Sequence, residues 1–141
     1  GWACATTTGT ERLPLQALEQ AIAWASRHGG TDGLVHHSDH GSQYTSLVYT
    51  TRVREYGMLP STGSVGDSYD NAMAESADGA YKTELVWRCK PFEDLAALET
   101  ATFRWVSWWN TKRLHASLGY RTPQQAETEY YQKQTAQAAS L

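Results

Sequence analysis

The sequence predicts an α/β fold, and three observations support that prediction. Short apolar runs at Leu34–His37 and Met58–Pro60 are too brief for helices and predict strands. Longer segments that begin near Pro14 and Phe92 carry apolar residues at helical spacing. Glycine or proline separates these segments, so strands and helices alternate along the chain, which is the pattern of an α/β domain.

The composition is that of a globular protein, with enough residues for one domain or part of one. The 141 residues are 40% hydrophobic and include six Trp and eight Tyr. No apolar run reaches the roughly 18 residues of a membrane span, and no basic segment precedes an apolar one, so neither a membrane span nor a signal peptide is predicted. Cys4 and Cys89 form no closely spaced pair, which fits a reducing, cytoplasmic location.

Charge is distributed unevenly along the chain. The net charge is −3 and the isoelectric point is about 5.9, which argues mildly against DNA binding because phosphate contacts favour a basic surface. Positive charge nevertheless gathers late in the chain, at Arg104, Lys112, Arg113 and Arg121, close to His115. Carboxylates that bind metal would add negative charge that their cations offset.

The first part of the chain predicts a strand, a helix and a second strand. Residues Gly1–Thr8 are rich in Thr and Trp and predict the first strand. Pro14 suits the first turn of a helix that Gly29–Gly30 ends. The strand at Leu34–His37 is predicted to be buried, with Asp39 at its carboxyl end, where open α/β sheets place functional residues. The apolar face of the helix is predicted to be Leu15, Leu18, Ile22 and Ala25.

The middle of the chain predicts a helix, an edge strand and a loop. Ser42 can cap a helix that Gly57 ends, and its apolar residues are Tyr44, Leu47 and Val48. Pro60 restricts the following strand to a sheet edge, because proline cannot donate to a strand ladder. The Gly- and Ser-rich residues Thr62–Tyr69 predict a mobile loop.

A further helix is predicted from about Asp70, which would be its N-cap, to about Val86. At about 100° per residue, its side chains divide between two faces. The core face is predicted to hold Met73, Ala77, Ala80 and Tyr81, and the other face Asn71, Glu75, Asp78 and Lys82.

The last part of the chain predicts two helices joined by a turn. Phe92–Asn110 predicts a long amphipathic helix, and Trp108 could face a partner rather than the core. Gly119 would end a helix, and the residues from Thr122 to Gln125 form a capping box for another, whose tail after Glu129 would fray. The apolar row of the long helix is Leu95, Leu98, Thr102, Trp105 and Trp109.

Two carboxylates are candidate metal ligands. Thirty-five residues separate Asp39, which follows a strand, from Glu75, which lies on a helix. Such a pair can converge on hard cations such as Mg²⁺ or Mn²⁺, and two ions of this kind can clamp the attacking and leaving oxygens of a phosphoryl transfer. The simpler interpretation is that Asp39 caps the next turn and that Glu75 is solvated.

Several motifs in order resemble one known family. They are His36–Tyr44 around Asp39, Asn71–Ser76 around Glu75, Lys82 seven residues after Glu75, and Trp108–Pro123. Together they resemble the catalytic core of insertion-sequence transposases, more narrowly the second-frame product of the insertion-sequence-three type, which is related to retroviral integrases. The resemblance covers about residues 1–125. Trp109, where the family usually has Tyr, is a departure, as are Ala77 and Asp78.

The resemblance implies a ribonuclease-H-like α/β fold. Residues 1–126 would form the integrase-type catalytic core and its C-terminal helices, and residues 127–141 a C-terminal tail. The family's acidic triad is Asp, Asp and Glu, of which Asp39 and Glu75 would be the second and third. Asp32 is too close in sequence to Asp39 to be the first. The chain is therefore predicted to be the C-terminal part of a core that lacks its N-terminal strands, and to be inactive alone.

The resemblance also implies a reaction and partners. Asp39 and Glu75 would hold two Mg²⁺ or Mn²⁺ ions, while Lys82 would contact a phosphate. Activated water would cut a strand at the element's end, and the freed 3′-hydroxyl would attack another phosphodiester. The implied partners are DNA, as element ends and target, and further copies of the chain; a membrane is not implied, and the expected location is the cytoplasm, at the nucleoid. The predicted DNA-contacting residues are Lys82, His40, Asn71, Arg113 and His115.

Alternatives to this interpretation stay open. His36, His37 and His40 could belong to a zinc site, but tetrahedral zinc needs three or four converging ligands, and no distant Cys or His pair has a recognised spacing. Arg113 and His115 could bind phosphate or satisfy carbonyls at a helix end. The chain could also be a catalytically dead remnant that binds DNA or pairs with intact transposase, or a ribonuclease-H-type nuclease that hydrolyses without joining.

Overall fold

The computed structural model describes residues 1–6, 12–62 and 72–139. It divides into two compact units, Gly1–Pro91 and Phe92–Leu141. The predicted boundary between core and tail, after residue 126, falls within the last helix of the second unit and stays a prediction.

The first unit combines helices with a small parallel sheet. Helix α1 (Arg12–Ala25) precedes strand β1 (Val35–His37), which pairs in parallel with β2 (Leu59–Ser61). Helices α2 (Ser42–Thr45) and α3 (Leu47–Glu55) connect the two strands, as a parallel pair requires a crossover. The register pairs Val35 with Leu59, His36 with Pro60 and His37 with Ser61.

The core of the first unit is built mainly by α1 and α3. Ile22 of α1 is 3% exposed and Val53 of α3 is 0% exposed. The predicted apolar face of α1 is confirmed at Leu18 and Ile22, because both are buried in this core. The buried cluster is Leu18, Ile22, Tyr49, Val53 and Met58, with Leu15, Tyr44 and Tyr56 packed against it.

Arg52 of α3 ties the two helices together on the surface. Its Nη2 donates to Glu19 Oε2 of α1 at 3.0 Å, and its Nη1 donates to Glu55 Oε2 at 2.9 Å. The hydrogen bond from Arg52 lowers the pKa of Glu19, and the two carboxylates raise the pKa of Arg52. Since these side chains are partly solvated, solvent screening keeps the contribution of the ion pairs to stability small.

Two strand predictions are wrong. The described residues Gly1–Thr6 form no strand, and the Trp2 backbone N–H instead donates to Gln20 Oε1 of α1 at 2.9 Å. A strand needs a neighbour that receives its hydrogen bonds, whereas this segment lies against a helix. β1 is not buried either: Val35 is 47% exposed, because the sheet in the described residues has two strands only.

The single helix predicted after Ser42 is divided in two. Ser46 has extended backbone (φ −61°, ψ 144°), and its hydroxyl oxygen accepts from the Tyr49 N–H at 3.3 Å as the N-cap of α3. The sequence predicts Ser42 as the N-cap, but the N-cap of α2 is Gly41, and Ser42 is the first residue of the helix. Gly57, with φ 69°, follows α3 as predicted.

The helix that carries Glu75 contains a widened turn. Helix α4 (Ala72–Tyr81) continues through a π turn (Lys82–Val86) into α5 (Trp87–Cys89). The Trp87 N–H donates to Lys82 O, five residues earlier, which is the hydrogen bond of a π turn. Leu85, which lies within this π turn, is buried.

The predicted core face of this helix is correct only in part. Ala77, Ala80 and Tyr81 are partly buried, but Met73 is 85% exposed. The helix is anchored at its other end by Leu85, and in the described part of the chain nothing covers its first turn. The predicted cap Asp70 and most of the predicted loop fall within residues 63–71, outside the described residues.

The second unit consists mainly of two helices that pack together. Helix α6 (Leu95–Thr111) begins at Asp94, whose Oδ1 accepts from the Ala97 N–H at 2.7 Å. Helix α7 (Pro123–Ala138) begins at Thr122, and the predicted capping box is confirmed because Thr122 and Gln125 bond reciprocally. Among the residues described, no helix has the length and apolar character needed to cross a membrane.

The connection between α6 and α7 is short and ordered by backbone hydrogen bonds. It contains a 3₁₀ turn (Ala116–Leu118) and then Gly119, whose φ of 65° puts it in the left-handed region that favours glycine. His115 and Arg121 form an isolated antiparallel bridge across this connection. The predicted apolar row of α6 is confirmed, since Thr102 is 3% exposed and the other four members are partly buried.

Candidate active site

Asp39 lies in an exposed turn directly after β1. Its Oδ1 accepts a hydrogen bond from the Gly41 N–H at 2.8 Å, which is the capping geometry of the simpler interpretation. This turn leads into α2, because the Gly41 carbonyl accepts from the Tyr44 N–H at 2.9 Å. The carboxylate is therefore oriented by the start of α2 as well as by the end of β1.

Two side chains approach Gly41 closely. A Cβ at this position would lie 2.8 Å from Asp39 Oδ1 and 2.8 Å from Gln43 Nε2, so one or both of these atoms would have to move. Both are the ends of flexible side chains, so glycine suits this position but is not required by it.

Three aromatic side chains from segments next to the Asp39 turn contact one another. Tyr44 of α2 meets the ring of Tyr49 edge-on, with centroids 5.3 Å apart, and Tyr49 Oη lies 3.0 Å from His36 Nε2 in a shared hydrogen bond. Burial raises the pKa of Tyr49 to about 12, so it stays a neutral phenol at physiological pH. The contacts join α2, α3 and β1 at the carboxyl end of the sheet.

Stability is expected to decline as the pH falls below about 6.5 because of His36. Burial, and then the neighbouring His37, lower the pKa of His36. The unfolded chain therefore takes up a proton before the folded chain does as the pH falls. The contribution of neutral His36 to stability is fully present above the pKa of the unfolded chain, about 6.5. It is lost as the pH falls towards the lower pKa of the folded chain. Urea denaturation at a series of pH values above about 5 measures the change, and this range keeps Glu19 ionised.

His36→Gln is the variant that isolates this titration. Glutamine keeps a hydrogen-bonding side chain beside Tyr49 but takes up no proton, so the stability of this variant should vary less with pH. His28→Gln, at an exposed histidine of the same unit, is the matched control and should keep the pH dependence of the wild type. An unchanged pH dependence in His36→Gln would contradict the assignment.

Glu75, Asp78 and Lys82 lie on one exposed stripe of the helix, as predicted. Lys82 Nζ is 2.6 Å from Asp78 Oδ2, which confirms that these two residues share a face. Both side chains are more than half exposed, so the pair is weak and can exchange for another partner of Lys82. Glu75 lies one turn before Asp78, in the first turn of α4.

Tyr44 provides an electrostatic link between the Asp39 turn and this helical stripe. Burial raises the pKa of Tyr44, and the negative charges of Asp39 and then Asp78 raise it further. Both carboxylates are thus close enough to act on one phenol. In the described residues, however, no cluster of three or more His, Cys, Asp or Glu side chains is arranged to hold a metal ion.

Arg113 and His115 both contact Trp109 in the second unit. The Arg113 guanidinium carbon lies 4.3 Å from the centroid of the Trp109 ring and 5.4 Å from that of Trp108. His115 meets the Trp109 ring at a centroid distance of 4.7 Å, and its Nε2 lies 3.4 Å from Trp109 O. His115 thus lies near a carbonyl at the end of α6, which is the alternative to phosphate binding that the sequence leaves open for this residue.

Comparison with known proteins finds similarity to integrase cores and to insertion-sequence transposases. Residues 56–123 match the integrase core domain family. The chain is 52% identical over 131 residues to the transposase for insertion sequence element IS629 of Shigella sonnei. The matched residues make up 93% of this chain and 42% of that protein. It is 44% identical over 141 residues to a protein of element IS986/IS6110 of Mycobacterium tuberculosis, covering 99% and 50% respectively. It is also 40% identical over 96 residues to the transposase for element IS904 of Lactococcus lactis, covering 67% and 38%.

The chain is similar to the integrase core domain over residues 56–123 and to insertion-sequence transposases along most of its length. The predicted resemblance is thereby confirmed, and so is an α/β fold with mixed helices and a small parallel sheet. The chain spans about half the length of the curated relatives that it matches.

Sequence reasoning missed the aromatic cluster beside the Asp39 turn. Tyr44 and Tyr49 are five residues apart, a spacing that does not place them on one face of a single regular helix. The break at Ser46 brings the two rings together. The predicted site residues Asp39 and His40 are exposed, and Asn71 lies outside the described residues.

Proposed function

We propose that this chain forms part of the catalytic core of a DNA transposase, which cleaves and joins DNA ends with divalent cations. The main support is its 52% identity, over 93% of its length, to a protein named as a transposase. Electrostatic proximity adds to this, because Asp39 and the stripe of α4 that carries Glu75 both lie near Tyr44. In this proposal Asp39 and Glu75 are metal ligands, and Lys82 contacts a DNA phosphate.

The donor chemistry at Asp39 and Glu75 fits Mg²⁺ or Mn²⁺ in type. Carboxylate oxygens are the ligands that these hard cations prefer, and when bound the cations would supply Lewis acidity for phosphoryl transfer. Two donors are one fewer than the family's triad, and the described residues contain no group of three or more His, Cys, Asp or Glu side chains that could hold a metal ion. The proposed site therefore needs a further carboxylate from another part of the working protein.

Lys82 is proposed to act as a point charge for a phosphate, held ready by Asp78. The ion pair at 2.6 Å orients the ammonium group along the same stripe as Glu75. Because the pair is exposed, a phosphate could replace Asp78 as the partner of Lys82 at little cost. The remaining proposed DNA contacts are His40, Asn71, Arg113 and His115, in a complex of several copies of the chain.

Further strands are proposed to complete the sheet beside β1 in the full-length protein. Leu34, Val35 and Leu59 are each about half exposed, which is unusual for apolar residues of a parallel sheet. Strands that carry the family's first Asp would cover these side chains and supply the additional carboxylate. By this reasoning the chain alone has little or no cleavage or joining activity.

Metal binding gives the direct test, with Mn²⁺ alone as the probe and electron paramagnetic resonance as the readout. Asp39→Asn and Glu75→Gln are each expected to weaken Mn²⁺ binding at least about tenfold, since even changes around metal ligands cost roughly 10- to 100-fold in affinity. Asparagine can still accept the hydrogen bond from the Gly41 N–H, so the turn should persist. Glu99→Gln, at an exposed carboxylate of α6, is the matched control.

Equal Mn²⁺ affinity in Glu75→Gln and Glu99→Gln would overturn the proposed ligand assignment. A second assay follows labelled DNA ends with the chain and Mg²⁺, and no product is expected. Joined products that disappear in Glu75→Gln would contradict the proposed incompleteness while supporting the reaction. Cut but unjoined strands would instead indicate a nuclease.

A further inference from the structure

Positive charge is concentrated in one continuous segment of the second unit. From Thr100 to Ala126 the chain contains four Lys or Arg residues and no Asp or Glu, although the net charge of the whole chain is −3. Segregation of this kind creates a positive potential over one region of an otherwise acidic protein. The structure determines which of these cations lie together on the surface.

Two of the cations lie on one exposed side of α6 with a tryptophan between them. Arg104, Trp108 and Lys112 follow one another at intervals of four residues, and the Lys112 N–H donates to Trp108 O at 2.9 Å, so the helical turn continues through Lys112. All three side chains are exposed, Trp108 by 44%. We call these three residues the basic stripe.

The buried residues of α6 lie on the neighbouring face, so the basic stripe is not part of the core. Thr102 is 3% exposed, and Trp105 and Trp109 are partly buried. Arg121 does not belong to the stripe, because its guanidinium is bound to Glu129 of α7. Arg104 and Lys112 have no ion pair with any acidic residue in the described part of the chain, so their charge is not neutralised there.

Arg113 adds a third positive charge beside the tryptophan of the stripe. Its guanidinium carbon is 5.4 Å from the centroid of Trp108 and 4.3 Å from that of Trp109. These are cation–π distances, so the contact favours the observed position of the Trp108 ring.

We propose that the basic stripe of the second unit is a binding surface for the phosphodiester backbone of duplex DNA. The choice of DNA as the polyanion rests on the proposed function. Arg104 and Lys112 are eight residues apart, which is about 12 Å along the helix axis at 1.5 Å per residue, so the two cations can contact two different phosphates of one duplex. Contacts of this kind position DNA without reading its sequence.

The test is the salt dependence of DNA affinity, measured by fluorescence anisotropy with the full chain and a labelled duplex, without metal. The double variant Arg104→Ala/Lys112→Ala is expected to lower the slope of log affinity against log salt by about 1.8, because each neutralised phosphate contributes about 0.9 to that slope. The loss of affinity should be equal on duplexes of different sequence. Arg27→Ala/Lys133→Ala removes the same charge from exposed positions elsewhere and is the matched control.

Four outcomes separate this proposal from the proposed function. A reduced slope in the stripe variant but not in the control supports the stripe. Equal slopes in both double variants, or no affinity of the wild type for duplex DNA at low salt, overturn it, whereas the Mn²⁺ measurement on Glu75→Gln is unaffected. Equally tight binding of a poly-glutamate chain would also overturn it, by showing that the surface accepts any polyanion.

Discussion

Replacing Ile22 with alanine is expected to lower the free energy of unfolding by about 2–5 kcal/mol. Ile22 is 3% exposed and belongs to the five-residue core that α1 and α3 form together with Met58. Alanine removes apolar contacts and leaves a cavity that a small core cannot refill. Since domains of this size are stable by roughly 5–15 kcal/mol, the change removes a large share of the total. Urea denaturation followed by circular dichroism measures it.

Leu47→Ala is the matched control for this truncation. Leu47 lies on α3 but is 79% exposed, so its removal should change the free energy of unfolding by no more than about 0.5 kcal/mol. Equal destabilisation of Ile22→Ala and Leu47→Ala would contradict the assignment of the core to the packing of α1 against α3.

Replacing Gly57 with alanine is the second large expected loss of stability. Gly57 has φ 69°, and the left-handed conformation costs a residue with a Cβ about 1–2 kcal/mol. The new Cβ would also lie 2.4 Å from Asp32 Oδ1 and 3.2 Å from Asp32 Cα, and only the carboxylate can move away easily. Because Gly57 directs the chain from α3 into β2, the expected result is a loss of at least about 2 kcal/mol, measured by thermal or urea denaturation.

The same substitution at Gly79 should have the opposite sign. Gly79 lies inside α4, and a Cβ there would meet nothing within 4 Å. Alanine in a helix interior is more favourable than glycine by about 0.5–1 kcal/mol, so Gly79→Ala should stabilise the chain. If Gly57→Ala and Gly79→Ala destabilised the chain equally, the left-handed conformation of Gly57 would not be the reason for the effect of Gly57→Ala.

Local signals in the sequence predict most of the elements. The apolar spacing of α1, the capping box at Thr122 and the closing glycine at Gly57 each depend on residues within a few positions of one another. Such signals survive in the fold because no distant partner is needed to realise them. The same holds for the shared face of Asp78 and Lys82, one helical turn apart.

Predictions fail where the outcome depends on distant partners. Gly1–Thr6 has the composition of a strand but lies along α1, because sheet hydrogen bonds need a neighbouring strand. The predicted burial of β1 and of Met73 is wrong for the same reason, since apolar residues are covered only where another element packs on them. The sequence identifies such residues as able to be buried but does not name what buries them.

In the candidate site, too, local signals can be predicted from the sequence and contacts with distant partners cannot. Spacing and the family motifs identify Asp39, Glu75 and Lys82, which stay predictions as metal ligands and phosphate contact. The aromatic cluster of Tyr44, Tyr49 and His36 could not be predicted, because it depends on the break at Ser46 and on packing between α2, α3 and β1. A periodic pattern read through residue 46 places Tyr44 and Tyr49 on different faces.

The π turn at Lys82–Val86 follows the helix that carries Glu75. The α-helix ends at Tyr81, so the direction of the Glu75 side chain depends on α4 alone. The buried anchor Leu85 lies inside the widened turn. Substitutions at the anchor can therefore change how firmly the helix is seated without re-aiming Glu75, which lets tethering and chemistry vary independently.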